Sequence, residues 1–190
     1  MPSFDLRGIK VAKYVNNSGT ISYTGAVSVG DAMSVAMSLR YAEGRLYAES
    51  SLAEYIRKAT GGSISIAVKY IPDEAQKLMF GAIEKNRSVS SKQVKSLQFN
   101  ATSAMSYVGV AFYAPDMVDG VEKYTCVKVA RCLFGAPDMS YATSGETITF
   151  NTPTTSGEFM RDNSAAGNLF EVAVCDTEAD AIAWITEVLK

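Results

Sequence analysis

Few residues in this chain have the type and spacing to do chemistry, and each set has a competing structural explanation. Acid pairs stand at Asp73-Glu74 and at Glu178 and Asp180, with Asp116 and Asp119 near a turn. Paired carboxylates can serve as general acid and base. Here, however, the first two pairs sit where helices begin, so the positive end of the helix dipole accounts for them. Asp116 and Asp119 read as turn formers. Three cysteines, Cys126, Cys132 and Cys175, make an odd, sparse set. Two of them are six apart on one predicted strand face, too far to bridge, so free thiols in a reducing cytosol are expected. Gly61-Gly62 lacks the lysine and spacing of a phosphate loop and reads as a turn. Lys85, Arg87, Lys92 and Lys95 make the most basic stretch. Without interleaved aromatics this reads as a solvated loop before a nucleic-acid contact.

The absences are sharper than the presences. The chain has no histidine, which removes Ser-His-Asp and Cys-His triads, His-containing zinc sites and the usual proton shuttle. A net charge of −2 argues against general nucleic-acid affinity, which lysine and arginine supply. No catalytic residue, cofactor or metal is assigned.

At 190 residues and 47% apolar composition, one domain spanning 1–190 is expected, burying roughly 70% of its unfolded surface without staples. No apolar run approaches a bilayer span of about 20 residues, and Met1-Pro2-Ser3-Phe4-Asp5 is not the start of a signal peptide. A protein that stays where it is made, away from membranes, is therefore expected.

Periodicity places the elements. Gly8 to Val15 reads as a strand, Asn16 to Gly19 as a turn, Thr20 to Thr24 as a second strand and Gly25 to Asp31 as a connector. Met33, Val35, Met37, Leu39 and Tyr41 alternate with small and polar residues, the period of a one-faced strand. Ala42-Glu43-Gly44 reads as a turn, Arg45 to Ser50 as extended and Ser51 to Thr60 as ambiguous. Ser63 to Tyr70 alternates cleanly. Pro72, Asp73 and Glu74 open a two-turn helix that Gly81 stops, with Ala75, Leu78 and Met79 facing a sheet. Ile83 to Asn100 reads as an exposed loop leading to a weak strand near Ser96 to Thr102.

Asp119-Gly120, between strands Val108–Ala114 and Glu122–Phe134, is the strongest hairpin signal in the chain. A strand is expected at Thr147 to Phe150 and another at Leu169 to Cys175. Thr177 to Asp180 is a capping box that opens a helix with Ala181, Ile182, Ile185, Val188 and Leu189 on its buried stripe. Trp184 falls outside that stripe, where a subunit contact and routine packing are both open. The expected fold is mainly β, an antiparallel β-sandwich or open barrel flanked by a short central helix and a C-terminal helix.

The order Val108-Gly109-Val110-Ala111-Phe112-Tyr113, the Asp119-Gly120 turn, the strand Tyr124 to Phe134, and Ser144 through Gly157 resembles the major tail tube proteins of long-tailed bacteriophages. The strand followed by Pro72-Asp73-Glu74 and a helix closed by glycine matches the same order, over about Gly8 to Asp176. That resemblance implies a structural virion protein with no enzymatic activity. Subunits would form hexameric rings that stack into a tube, working with a tape-measure protein and with tail-terminator and baseplate proteins. DNA would pass through the lumen without specific binding, and the tail would be assembled in the host cytoplasm.

By order along the chain, Tyr41 to Gly62 is the expected inter-ring arm, with Tyr41, Glu43, Arg45, Tyr47, Glu49, Tyr55 and Arg57 as its contact residues. Ser34, Ser38, Ser63, Ser65 and Lys69 are expected to face the lumen, Lys69 needing an acid nearby. Other readings are the tube of a contractile tail or injection device and a monomeric lipocalin-like barrel for a small molecule. An enzyme using only Asp, Tyr and Lys has no motif behind it.

Overall fold

The computed structural model describes residues 3–143 and 150–190. The expected strand at Thr147 to Phe150 lies mostly outside those residues, and Phe150 itself is not in a strand.

The chain is mainly β. Strands β1 (Arg7–Asn17), β2 (Thr20–Ser28), β3 (Ala32–Ala48), β4 (Ser51–Val68), β7 (Val108–Val118), β8 (Val121–Phe134), β9 (Thr154–Met160) and β10 (Phe170–Cys175) form one antiparallel sheet. Its order is β2-β1-β7-β8-β9-β4-β3, with β10 sharing the far edge of β8 with β9. Strands β5 (Ile83–Val89) and β6 (Lys92–Gln98) make a separate two-stranded hairpin. Helix α1 spans Asp73–Phe80 and helix α2 spans Glu178–Glu187. Neither helix is long and apolar enough to cross a membrane.

The sheet curls. Ile9 and Val11 on β1 share one buried cluster with Ile64, Ile66 and Val68 on β4, although three strands separate β1 from β4 in the sheet. A flat sheet would hold those side chains far apart, given about 4.8 Å per strand. Phe134, Phe159 and Val129 fill the concave side, and α1 closes it with Ala75, Met79 and Phe80. This open barrel has a packed interior. The convex side carries a second cluster in which Ala181, Ile185 and Leu189 pack against Ala12, Tyr23, Ala111, Tyr113 and Cys126.

The helix punctuation is as read. Pro72 is the N-cap of α1, and Gly81 ends it at φ 67 and ψ 28. Thr177 caps α2 by accepting the Asp180 amide at 3.1 Å. The buried stripe of α2 differs by one helical position. Ile182 is 45% exposed, whereas Trp184 packs against the second cluster. Positions 181, 184, 185 and 188 follow the i, i+3, i+4, i+7 spacing of one face, and Ile182 falls off it. Trp184 is thus a packing residue of this chain.

Five further expectations need correction. Ala42-Glu43-Gly44 is no turn: β3 runs straight through it, and the chain reverses at Glu49-Ser50, both with positive φ. Gly61-Gly62 lies inside β4, paired with Met160 and Phe159 of β9. Segment Gly25 to Ser28 belongs to β2, and Asp116 lies within β7, paired with Lys123. Cys126 and Cys132 lie on opposite faces of β8, one in each cluster, because the register with β7 shifts between Val129 and Cys132. An extra residue at a bulge reverses the side on which every later side chain stands.

Candidate functional site

Two surfaces stand out: an arm that leaves the sheet, and a serine-rich face beside its base. The β3–β4 hairpin follows the sheet up to Gly61 and then, among the described residues, continues alone. At the departure point a Cβ on Gly62 would sit 2.1 Å from the Ser38 carbonyl oxygen and 2.5 Å from the Phe159 ring, so only glycine lets β3, β4 and β9 close there. Gly61, at φ 146, adds a conformation that L side chains rarely adopt. A register shift between Arg40 and Tyr41 coincides with the same point. Beyond it every residue from Arg40 to Thr60 is exposed. From Tyr41 to Ala48 the arm projects about 25 Å at the rise of an extended strand.

The arm is two-faced. Tyr41, Glu43, Arg45 and Tyr47 share one face with their partners Ala59, Arg57, Tyr55 and Leu52. The Arg57 guanidinium lies 3.8 Å over the Tyr41 ring and 3.3 Å from Glu43, while Arg45 lies 5.6 Å over Tyr55 and 3.4 Å from Glu43. Cation–π stacking and ion pairing therefore satisfy the charges locally, in water, where each such contact is worth well under about 1 kcal/mol. The other face presents Ala42, Gly44, Leu46 and Ala48 opposite Lys58, Ile56, Glu54 and Ser51, so its two large aliphatic side chains stand between charged ones. Leu46 and Ile56 are more than half exposed. Of the expected arm residues, six fall on the tyrosine–arginine face; Glu49 sits in the turn.

The second surface is the outer side of β3, β4 and β9. Ser34 pairs with Ala67, Ala36 with Ser65 and Ser38 with Ser63, while Ser156 of β9 pairs with Ser65. These side chains alternate with Val35, Met37, Leu39, Ile64 and Ile66, which point into the core. The structure thus brings Ser34, Ser38, Ser63 and Ser65 onto one smooth face. Arg40 at its rim is held 2.7 Å from Glu158, which lowers the Glu158 pKa through that hydrogen bond. Lys69 lies just past β4, and its acid is Asp31 of the same chain at 3.6 Å.

The acid candidates are structural. Glu74 pairs with Lys77 at 3.0 Å. Glu178 accepts from Arg7 at 2.9 Å and from the Tyr113 hydroxyl at 2.8 Å, and these bonds hold its carboxyl below the usual range. Burial, aided by that same carboxylate, pushes the Tyr113 phenol up to about 12. Asp116 is buried and bonded to Thr125, and Asp119 forms the β7–β8 turn. Among the described residues no cluster of His, Cys, Asp and Glu could hold a metal ion. All three thiols are free, although Cys126 and Cys175 approach to 3.7 Å across β8 and β10.

No family model and no curated protein matches this chain.

Proposed function

We propose that this chain is a structural tube subunit. Copies join into hexameric rings, rings stack through the β3–β4 arm, and the product is the tail tube of a long-tailed bacteriophage that conducts DNA during ejection. It is assembled in the host cytoplasm alongside tape-measure, terminator and baseplate proteins, resides in the virion tail, and carries no catalysis.

The observation that carries this reading is the arm. A two-stranded ribbon standing alone is at best marginally stable in water, and this one leaves every residue from Arg40 to Thr60 exposed, Leu46, Tyr47, Leu52 and Ile56 by more than half. Such an element is accounted for by a partner that covers it. The serine face adjoins the arm's base and suits a conduit wall. Its rim cations are matched by Glu158 and Asp31, so little net positive charge faces outward to hold phosphates by counterion release. A ligand-binding barrel fits less well, because the concave side is filled by packed side chains such as Phe134, Phe159 and Met79.

The test is Arg45→Glu, which breaks the contacts to Glu43 and Tyr55 on an exposed ribbon and leaves the core untouched. The variant should remain a folded monomer with an unchanged circular dichroism spectrum and fail to form pelletable tubes. Normal tubes from this variant would reject the arm.

A further inference from the structure

The three cysteines divide in a way that their odd number conceals. Cys132 belongs to the concave cluster, whereas Cys126 and Cys175 stand on the convex side of neighbouring strands. The β8–β10 register pairs Cys126 with Ala173 and Tyr124 with Cys175, so the two cysteines are diagonal neighbours on one face. They are 49 positions apart in sequence, and their sulfurs approach to 3.7 Å. Cys126 is fully buried and Cys175 half-buried, so one thiol of the pair meets solvent. A buried free cysteine by itself is a small apolar side chain. Two in sulfur contact across a strand pair, one of them within reach of a small oxidant, can do more.

Both the distance and the strand permit a bond. Sulfurs in a disulfide lie about 2.05 Å apart, which leaves roughly 1.6 Å to close. Among the described residues β10 pairs only with β8, so its free edge lets it give by part of that distance while the two side chains rotate. The position is also one where a crosslink holds much of the chain's end. Cys175 leads through Asp176 into Thr177, the cap of α2, and Ala181, Ile185 and Leu189 share the convex cluster with Cys126.

We propose that Cys126 and Cys175 are a reversible disulfide site that fastens β10 and α2 to β8 when the chain meets a small disulfide oxidant such as glutathione disulfide. The Cys175 thiolate attacks one sulfur of the oxidant, which releases one glutathione and leaves a mixed disulfide on Cys175. Cys126 then loses its proton and attacks the Cys175 sulfur, displacing the second glutathione. Two protein thiols become one disulfide, their two electrons reduce the oxidant, and their two protons end on the glutathione thiols. Burial keeps the Cys126 thiol protonated, so closure should quicken as pH rises. Cys132, on the other face, takes no part. The site does not depend on the tube reading. In the proposed tube it would stay open during assembly in the reducing cytoplasm and close once the particle meets an oxidising medium.

The test oxidises the full-length protein with glutathione disulfide, unfolds it in iodoacetamide to cap the remaining thiols, and maps its peptides without reductant. The expected product is a monomer with one Cys126–Cys175 crosslink and Cys132 capped, the capped thiols falling from three to one. Its Tm should stand roughly 5–10 °C above that of the same sample after dithiothreitol, because closing a loop of this length restricts the unfolded chain. Cys175→Ser, a change of one atom at a half-buried position, should form no crosslink and show no Tm response to the oxidant. Three thiols still open to capping, a mixed disulfide that persists on Cys175 beside a capped Cys126, or dimers linked through Cys175 would each overturn the site. A crosslink with no rise in Tm would overturn the fastening of β10 and α2.

Discussion

At the scale of single residues, the positions that matter most for shape are those where a side chain would not fit. Gly62 is the clearest: Gly62→Ala drives a methyl into the Ser38 carbonyl and the Phe159 ring, and overpacking of this kind costs about 1–3 kcal/mol. Thermal unfolding should show Tm lowered by roughly 5 °C, since each kcal/mol moves a domain of this size by about 2–4 °C; an unchanged Tm would mean the strands are not in contact there. The cysteines give a second check. Burial, then the hydrogen bond with Cys175, pushes the Cys126 thiol up to about 12, and burial alone raises Cys132 further. A raised thiol pKa keeps the group protonated at every pH below it, so at pH 8 neither offers the reactive thiolate. Iodoacetamide on the native protein should therefore label Cys175 at most, read by intact mass; rapid addition of three groups would show that the clusters open easily.

At the scale of elements, local chemistry was readable and continuation was not. The Asp119-Gly120 hairpin, the α1 punctuation and the Thr177 cap each follow from a residue whose backbone preference or hydrogen bond is decided by its neighbours in sequence. The two other free turns were missed because Glu49-Ser50 and Ser90-Ser91 adopt positive φ without glycine, against the usual preference. That is why the arm was divided at Gly44 and why β5–β6 read as a loop. Gly61-Gly62 misled for the opposite reason, since glycine marked a close approach of three strands and not a reversal. The serine face was legible because a clean period of two fixes both faces at once. For the free arm, amides between Tyr41 and Ala59 should exchange with solvent deuterium orders of magnitude faster in the monomer than those of Ile64 to Val68. On assembly their exchange should slow sharply. Equal protection in monomer and assembly would show that the arm gains no partner.

At the scale of the whole molecule, an open barrel that packs its own interior still leaves much undone at its margins. Among the described residues, the exposed arm, the basic hairpin and the outer edge of β10 are three open surfaces on a chain whose core is closed. Exposed apolar stripes and open strand edges are hazards that proteins either blunt or use. In the proposed tube a second copy would cover them without a foreign ligand, which is why self-assembly is the central claim. It is tested most directly by negative-stain electron microscopy of the purified protein at rising concentration. Hollow rings with six subunits, stacking into tubes as concentration increases, are the predicted result. A population that stays monomeric at every concentration up to the solubility limit would contradict it.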